Sequence, residues 1–223
     1  HPYFLKLFVL KNLPQILLDE GTKKVKEIEL VSRLNHRNIV GFIDQGTIKR
    51  EDGDLQYYIT TYLNGAILSD YVVRKGKLSE DEALKIFRGI LSGLSYLHSQ
   101  TPALSHNDID PSNIMLSDTI DESVIIDMGH LSEVCAGFTS FDTSDLDVLY
   151  HANETGSGIF DEQGDIFSAC SVLYFMLMAN APWNTEIQGD TYKERLKALW
   201  EFRKSNDFKE LAIKENVTIK TKK

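Results

Sequence analysis

Two apolar helical patterns, separated by a long stretch with little helical periodicity, constrain the fold of this chain most. The first pattern runs from Ser79 to Ser99 and the second from about Asp165 to Ala179. Ser79 and Glu82 form a capping-box pair at the start of the first helix. Its apolar face is broad, so this helix has to be buried on more than one side. The sequence therefore predicts a sizeable helical core.

The stretch between these helices, Thr101 to Gly164, shows little helical periodicity. A long irregular segment inside a compact domain is usually functional. A third, more polar helix is predicted from Tyr192 to Lys204.

The beginning of the chain has a different pattern, with extended apolar runs around a Lys/Glu-rich helix. The predicted strands are Tyr3–Leu10, Ile39–Ile43 and Tyr57–Tyr62, and the predicted helix is Thr22–Asn35. A polar turn is predicted from Gly46 to Asp54. We therefore predict an α+β fold with two lobes. The smaller, β-rich lobe covers residues 1–63, and the larger, mainly helical lobe covers residues 64–223.

Charge and composition narrow the class of protein. The chain has 24 Lys and Arg against 33 Asp and Glu, a net charge of −9, which argues against a nucleic-acid or anionic-membrane partner. No secretory signal opens the sequence, and no apolar run is long enough to span a bilayer. Cys135 and Cys170 show no metal or disulfide spacing. The prediction is a cytoplasmic protein with reduced thiols, and the sequence does not indicate an oligomeric state.

Carboxylate and carboxamide side chains stand together inside the irregular stretch. Asp108 and Asn113 lie five residues apart, and Asp127 follows a short apolar run. Asn113 and Asp127 offer the oxygen ligands that Mg²⁺ prefers, and Asp108 could accept a proton from an attacking hydroxyl. This pattern is typical of phosphoryl transfer. The alternative is that Asp108 and Asp110 only cap a turn before Pro111.

Glu27 lies on an apolar stripe of the first predicted helix, together with Leu30, Val31 and Leu34. A buried carboxylate needs a cationic partner, and the strand before the helix offers Lys6 and Lys11. The alternative is that Glu27 reaches solvent at the helix edge.

Taken together, these residues resemble the eukaryotic-type protein kinases. His106–Asn113 is similar to the catalytic-loop pattern H-R-D-x-x-x-x-N, and Asp127–Gly129 to D-F-G. Four further segments resemble other parts of a kinase. Lys26–Val40 resembles helix C and the strand after it, and Thr60–Gly65 resembles the hinge. Ala152–Glu154 resembles A-P-E, and Gly164–Ser168 resembles the opening of helix F.

The resemblance implies ATP and Mg²⁺ as cofactors, a protein as substrate and a role for each matching residue. Asp108 and Asn113 would be catalytic, and Asn113 and Asp127 would hold the metal. Residues implied to bind the nucleotide are Lys6, Glu27, Thr60 as gatekeeper, Tyr62 and Met115. Residues implied to stack as a spine between the lobes are Val31, Phe42, His106 and Met128, and Asp165 would brace the catalytic loop.

Either lysine could hold the ATP phosphates, and we favour Lys6. Leu7 and Phe8 continue the strand after Lys6, whereas Pro14 soon ends it after Lys11. This assignment puts Phe4 where it would crowd the adenine pocket.

Four departures from the family pattern bear on activity. No Gly-rich phosphate loop precedes Lys6, so the sequence is either a fragment or a poor nucleotide binder. Asn107 and Asp110 replace an Arg and a Lys, and no Arg is evident as a partner for Glu154. Without the Arg, we expect little activation by phosphates on the hydroxyl residues of the following segment, which are Thr139, Ser140, Thr143 and Ser144.

Three functions are consistent with the sequence. The leading one is a serine/threonine protein kinase, because Pro111–Asn113 resembles the K-P-x-N form. The second is a catalytically weak pseudokinase that acts as a scaffold. The third is a small-molecule phosphotransferase, which also carries an H-x-D-x-x-x-x-N pattern.

Overall fold

The structure is a computed structural model that describes residues 2–134, 146–183 and 186–205. Cys135 and the four hydroxyl residues from Thr139 to Ser144 lie outside these described residues. Two lobes are present, one rich in strands and one mainly helical, as the sequence predicts.

A three-stranded antiparallel sheet forms the small lobe. Its strands are β1 (Tyr3–Val9), β2 (Phe42–Ile48) and β3 (Leu55–Thr61), in the order β1-β3-β2. The predicted turn from Gly46 to Asp54 begins later than expected, at residue 49, because β2 continues to Ile48 opposite β3. Gly46 faces Tyr57, whose hydroxyl lies 2.5 Å from where a side-chain carbon would stand. The glycine therefore makes room for the tyrosine ring and does not end the strand.

Strand β1 lies at the edge of this sheet. Four of its apolar side chains are between 46% and 60% exposed; these are Tyr3, Phe4, Leu5 and Leu7. Lys6 is less exposed than these side chains and is paired in register with Tyr58 of β3.

The helix of the small lobe, α1 (Lys26–Val31), is shorter than predicted. Its start is fixed because Leu18 and Val25 form an antiparallel bridge and the Val25 N–H donates to Gln56 Oε1 at 2.9 Å. At its end, the Ser32 hydroxyl donates back to the carbonyl of Glu29 at 2.9 Å. Local side-chain bonds of this kind compete with helix propagation.

The large lobe contains four helices and five short strands among its described residues. In chain order these are β4 (Gly65–Ile67), α2 (Leu68–Lys75), α3 (Glu80–His98), β5 (Leu104–Ser105), β6 (Ile114–Ser117), β7 (Ser123–Ile125), β8 (Ser132–Glu133), α4 (Glu162–Met178) and α5 (Tyr192–Ser205). The three predicted helices are confirmed as α3, α4 and α5. Four of the strands, β5 to β8, lie in the stretch expected to be irregular, and they form the pair β5-β8 and, together with β4, the sheet β4-β6-β7.

Helix α3 carries the core of the large lobe. Ser79 caps it by accepting from the Glu82 N–H at 3.3 Å, while the Glu82 side chain binds Tyr71 and Lys75 and does not complete the capping box. Gly93 permits close approach, since a side-chain carbon there would lie 2.9 Å from Ile125 and 3.0 Å from the Asn38 carbonyl. Helix α3 therefore packs closely against the backbone of the segment before β2 and against the Ile125 side chain of β7.

The two lobes are also joined by backbone hydrogen bonds. Ile39 and Ile125 form a parallel bridge, in which the Val40 N–H donates to the Ile125 carbonyl and the Ile125 N–H to the Asn38 carbonyl, both at 2.9 Å. Within the described part of the chain, no helix is both long and apolar enough to cross a membrane.

Candidate active site

A cavity of about 520 Å³ lies between the two lobes. Its walls come from β1, β3, the segment after β3, and the loop and strand around Asn113. Six of the residues implied by the resemblance line it: Lys6, Thr60, Tyr62, Asn113, Met115 and Asp127. Phe4 also lines this cavity, although its side chain is 59% exposed.

Lys6 connects the two lobes at the wall of this cavity. Its Nζ lies 2.8 Å from Glu27 Oε1 on α1 and 2.9 Å from Asp127 Oδ1 beyond β7. The other candidate, Lys11, lies 3.7 Å from Asp52. The geometry therefore brings Lys6, and not Lys11, to Glu27 and Asp127.

The charges of Lys6 and Asp127 stabilise each other. Burial alone would lower the pKa of Lys6, but the carboxylates of Glu27 and Asp127 hold it above its ordinary value. Burial alone would raise the pKa of Asp127, but the Lys6 charge and hydrogen bonds from Lys6 and the Gly129 N–H hold it below its ordinary value. Both side chains are therefore charged at neutral pH.

Asp108 and Asn113 are bonded to each other within residues 106–113, which we call the catalytic loop after the motif that they resemble. Asn113 Nδ2 donates to the Asp108 carbonyl at 2.9 Å and to Asp108 Oδ2 at 2.8 Å. Burial acts to raise the pKa of Asp108, but a hydrogen bond from His130 and the influence of His106 hold it below its ordinary value. Asp108 is thus an ionised acceptor beside the cavity.

The donor set fits a nucleotide-bound Mg²⁺ ion. The Asn113 amide nitrogen faces Asp108, which leaves the amide oxygen as its metal-binding atom, and the Asp127 carboxylate is 52% exposed. Among the described residues, no group of three His, Cys, Asp or Glu could hold a metal on its own. Such a pair suits a site completed by phosphate oxygens and water, which is how Mg²⁺ commonly binds with nucleotides.

Asp165, at the start of α4, holds the catalytic loop by hydrogen bonds to its backbone. It is 1% exposed and accepts from the backbone N–H groups of His106 and Asn107, each at 2.8 Å. His98 Nε2 lies 2.9 Å from the same carboxylate. This is the bracing role that the resemblance implies for Asp165.

Three of the four implied spine residues are fully buried, and the fourth, Phe42, is partly buried. Val31 and Met128 belong to one apolar core against which Phe42 packs, and His106 is fully buried. Burial lowers the pKa of His106, so its imidazole is neutral. A packing role for this histidine agrees with both observations.

Asn107 has a different role from the arginine it replaces. Its backbone adopts φ +67°, a left-handed conformation that Asn tolerates better than most residues. Its amide nitrogen lies 2.8 Å from the His130 carbonyl, 2.8 Å from Ser132 Oγ and 3.2 Å from the Ser105 carbonyl. A neutral amide therefore ties the catalytic loop to the segment after Asp127.

Two further carboxylates lie near Asp108. Asp110 accepts from the backbone N–H and the hydroxyl of Ser112, but burial and the charges of Asp108 and Asp147 raise its pKa to about 6. Burial also raises the pKa of Asp147, which accepts from the Leu149 N–H. The region beside Asp108 is accordingly strongly acidic.

Sequence reasoning missed two residues that stabilise this site. The Tyr58 hydroxyl donates to Glu27 Oε1 at 2.7 Å, which the strand pattern alone could not show. Arg203 of α5, 1% exposed, donates to the His151 carbonyl at 2.9 Å and to Asn153 Oδ1 at 3.1 Å, and it stacks on Trp183. An arginine on the last predicted helix was visible in the sequence, but its contact with the segment around Glu154 was not.

Comparison with known proteins agrees with this geometry. The family model described as protein kinase domain matches residues 5–222. Calcium-dependent protein kinase 5 of Plasmodium berghei is 30% identical over 171 residues, which is 76% of this chain and 29% of the relative. The probable serine/threonine-protein kinase MARK-C of Dictyostelium discoideum is 31% identical over 171 residues, 74% of this chain and 21% of the relative.

A third relative comes from a plant. The SNF1-related protein kinase catalytic subunit alpha KIN12 of Arabidopsis thaliana is 34% identical over 165 residues, 74% of this chain and 32% of the relative. The chain spans about a third or less of the length of these three relatives. The match to the family model covers nearly the whole sequence, and the chain therefore belongs to the protein kinase domain family.

Proposed function

We propose that this protein transfers the γ-phosphate of Mg²⁺-ATP to a serine or threonine hydroxyl of a protein substrate. One observation carries the proposal: Lys6 bonds at once to Glu27 and to Asp127 at the wall of the cavity between the lobes. A cation held by two carboxylates in this way is positioned to meet nucleotide phosphates. The serine/threonine preference rests on the Pro111–Asn113 segment and on relatives that carry that specificity in their names.

The chemistry assigns one task to each side chain. Lys6 binds the α- and β-phosphates, and Asn113 and Asp127 would hold Mg²⁺, which neutralises charge on the phosphates. Asp108 orients the acceptor hydroxyl and takes its proton. The acceptor oxygen bonds to the γ-phosphorus while the bond to the bridging oxygen breaks, and ADP leaves.

The test uses γ-labelled Mg²⁺-ATP with peptide libraries that carry Ser, Thr or Tyr as the acceptor. We expect label on Ser and Thr peptides, and its loss in Asp108→Asn and Asp127→Asn. Asp118→Asn makes the same substitution at an exposed turn, and it should retain full activity. Label on Tyr peptides alone, or on a small alcohol, would contradict the proposed substrate class.

Nucleotide binding is tested separately by thermal unfolding with and without Mg²⁺-ATP. Ligand at 100 times its dissociation constant stabilises a fold by about 2.7 kcal/mol. We expect a Mg²⁺-dependent shift that disappears in Asp127→Asn.

The acidic region beside Asp108 favours one second candidate, a catalytically weak kinase that acts as a scaffold. Asp110 and Asp147 would repel the γ-phosphate, which carries charge of the same sign. If repulsion limits transfer, Asp110→Asn and Asp147→Asn should each accelerate it. A wild-type protein that binds Mg²⁺-ATP, labels no peptide and stays inactive with both substitutions would support the scaffold.

A further inference from the structure

Tyr58 occupies the middle of the small sheet, directly opposite Lys6. The two residues are register partners in the antiparallel pair β1–β3. Opposed residues of antiparallel strands project their side chains from the same face, and here that face meets α1. Tyr58 is 4% exposed, so its hydroxyl has to find its hydrogen bond inside the protein.

The hydroxyl finds that bond at Glu27. Tyr58 Oη donates to Glu27 Oε1 at 2.7 Å, and Lys6 Nζ binds the same oxygen at 2.8 Å. Burial, together with the Glu27 charge, raises the pKa of Tyr58 well above its ordinary value. The phenol is therefore protonated at neutral pH and donates its hydrogen to Glu27.

The hydrogen bond from Tyr58 matters for Glu27 because the helix that carries Glu27, α1, is short. Helix α1 has six residues, too few to be stable without tertiary contacts. The Glu27 side chain is 11% exposed, and a buried carboxylate with two donors on one oxygen has little freedom to rotate.

We propose that Tyr58 is a positioning residue whose hydroxyl fixes Glu27, and thereby holds Lys6 at the nucleotide phosphates. This inference rests on the proposed function. It assigns the hydroxyl a task apart from the ring, which packs 6.0 Å from Phe8 between ring centres and fills core space.

The first test is a double-mutant cycle on Mg²⁺-ATP affinity. Tyr58→Phe keeps the ring and removes only the hydroxyl, so we expect binding about tenfold weaker. In a Glu27→Ala background the same substitution should change affinity less than twofold, because the acceptor is already gone. Tyr57→Phe is the matched control: it changes the adjacent tyrosine, which faces the other side of the sheet opposite Gly46, and affinity should stay at the wild-type value.

The second test needs no nucleotide and follows hydrogen exchange of the α1 amides. We expect exchange of the Ile28 and Glu29 amides, which bond to the Val25 carbonyl, to accelerate at least tenfold in Tyr58→Phe and not in Tyr57→Phe. A smaller change, or equal effects of Tyr58→Phe with and without Glu27, would overturn the positioning role. If the wild-type protein fails to bind Mg²⁺-ATP, the proposed function fails, and the exchange measurement still decides whether Tyr58 holds Glu27.

Discussion

The two sides of the active-site cleft are held in place by different kinds of interaction. The catalytic loop is bonded through its backbone to the buried Asp165, and through the Asn107 amide to the segment that follows Asp127. Lys6, on the other side, sits on an edge strand with exposed apolar side chains and is held by ion pairs. The geometry around Asp108 is therefore fixed by hydrogen bonds to the backbone, whereas Lys6 reaches Glu27 and Asp127 through side-chain contacts alone.

Removing the buried brace should have the largest effect on stability. Asp165→Ala leaves two buried N–H groups without their acceptor and should cost about 3 to 5 kcal/mol in the free energy of unfolding. Urea unfolding measures this loss. Asp81→Ala, an exposed residue of α3, should leave the stability near that of the wild type. A cost below about 1 kcal/mol would show that the loop does not depend on Asp165.

Acid should weaken the same lobe through His151. This residue is 2% exposed, bonds Tyr192 at 2.8 Å, and burial lowers its pKa to about 4. A depressed pKa gives stability that is present above the unfolded value of 6.5 and is lost as the pH falls towards 4. A lowering of the pKa from 6.5 to about 4 corresponds to about 3 kcal/mol in the free energy of unfolding.

Carboxyl groups titrate in the same range, so the measurement is a difference between two proteins. We would follow the unfolding free energies of the wild type and His151→Gln from pH 7 to pH 4. The wild type should lose more stability than the variant, by up to about 3 kcal/mol. Parallel pH profiles would exclude this role for His151.

The Asn107 amide should contribute less than Asp165. Asn107→Gly removes the amide but accepts the positive φ, so backbone strain does not obscure the result. We expect a loss of about 1 to 3 kcal/mol, because buried acceptors lose their donor. Asn64→Gly, at an exposed position between β3 and β4, corrects for the flexibility that glycine adds to the unfolded chain. Equal losses in both variants would show that the Asn107 amide does not stabilise the contact between the catalytic loop and the segment after Asp127.

Removing Lys6 should have the smallest effect on stability and a large one on function. Its partner Asp127 is half exposed, and Glu27 keeps the Tyr58 hydroxyl as a hydrogen-bond donor, so Lys6→Met should cost about 1 kcal/mol or less. Affinity for Mg²⁺-ATP should nevertheless fall at least tenfold. Lys11→Met, whose lysine pairs with the exposed Asp52, should change neither quantity. Loss of nucleotide binding in Lys11→Met would reverse the assignment of the two lysines.

The sequence was informative where spacing along the chain fixes the chemistry. The motifs around Asp108 and Asp127 and the three large-lobe helices could be predicted, because local periodicity and short motifs determine them. The preference for Lys6 over Lys11 also followed from sequence, since only Lys6 lies well inside a continuous strand.

Features that depend on pairing between distant segments could not be predicted. The length of β2 is set by its register with β3, and the short α1 by the contact between Val25 and Gln56. The bond between Tyr58 and Glu27 likewise joins residues 31 positions apart. Asn107 was interpreted only as the loss of a charge, since its three acceptors appear only in the folded loop.

The backbone bridge at Ile39 has a mechanical consequence. The Val40 N–H bonds to Ile125 of the large lobe, whereas the carbonyl of the next residue, Gly41, accepts from Thr61 of the small sheet. Successive residues thus bond to different lobes. A change in the angle between the lobes that leaves these hydrogen bonds intact would have to be absorbed by the φ and ψ angles at Val40 and Gly41, because the peptide unit between them is planar.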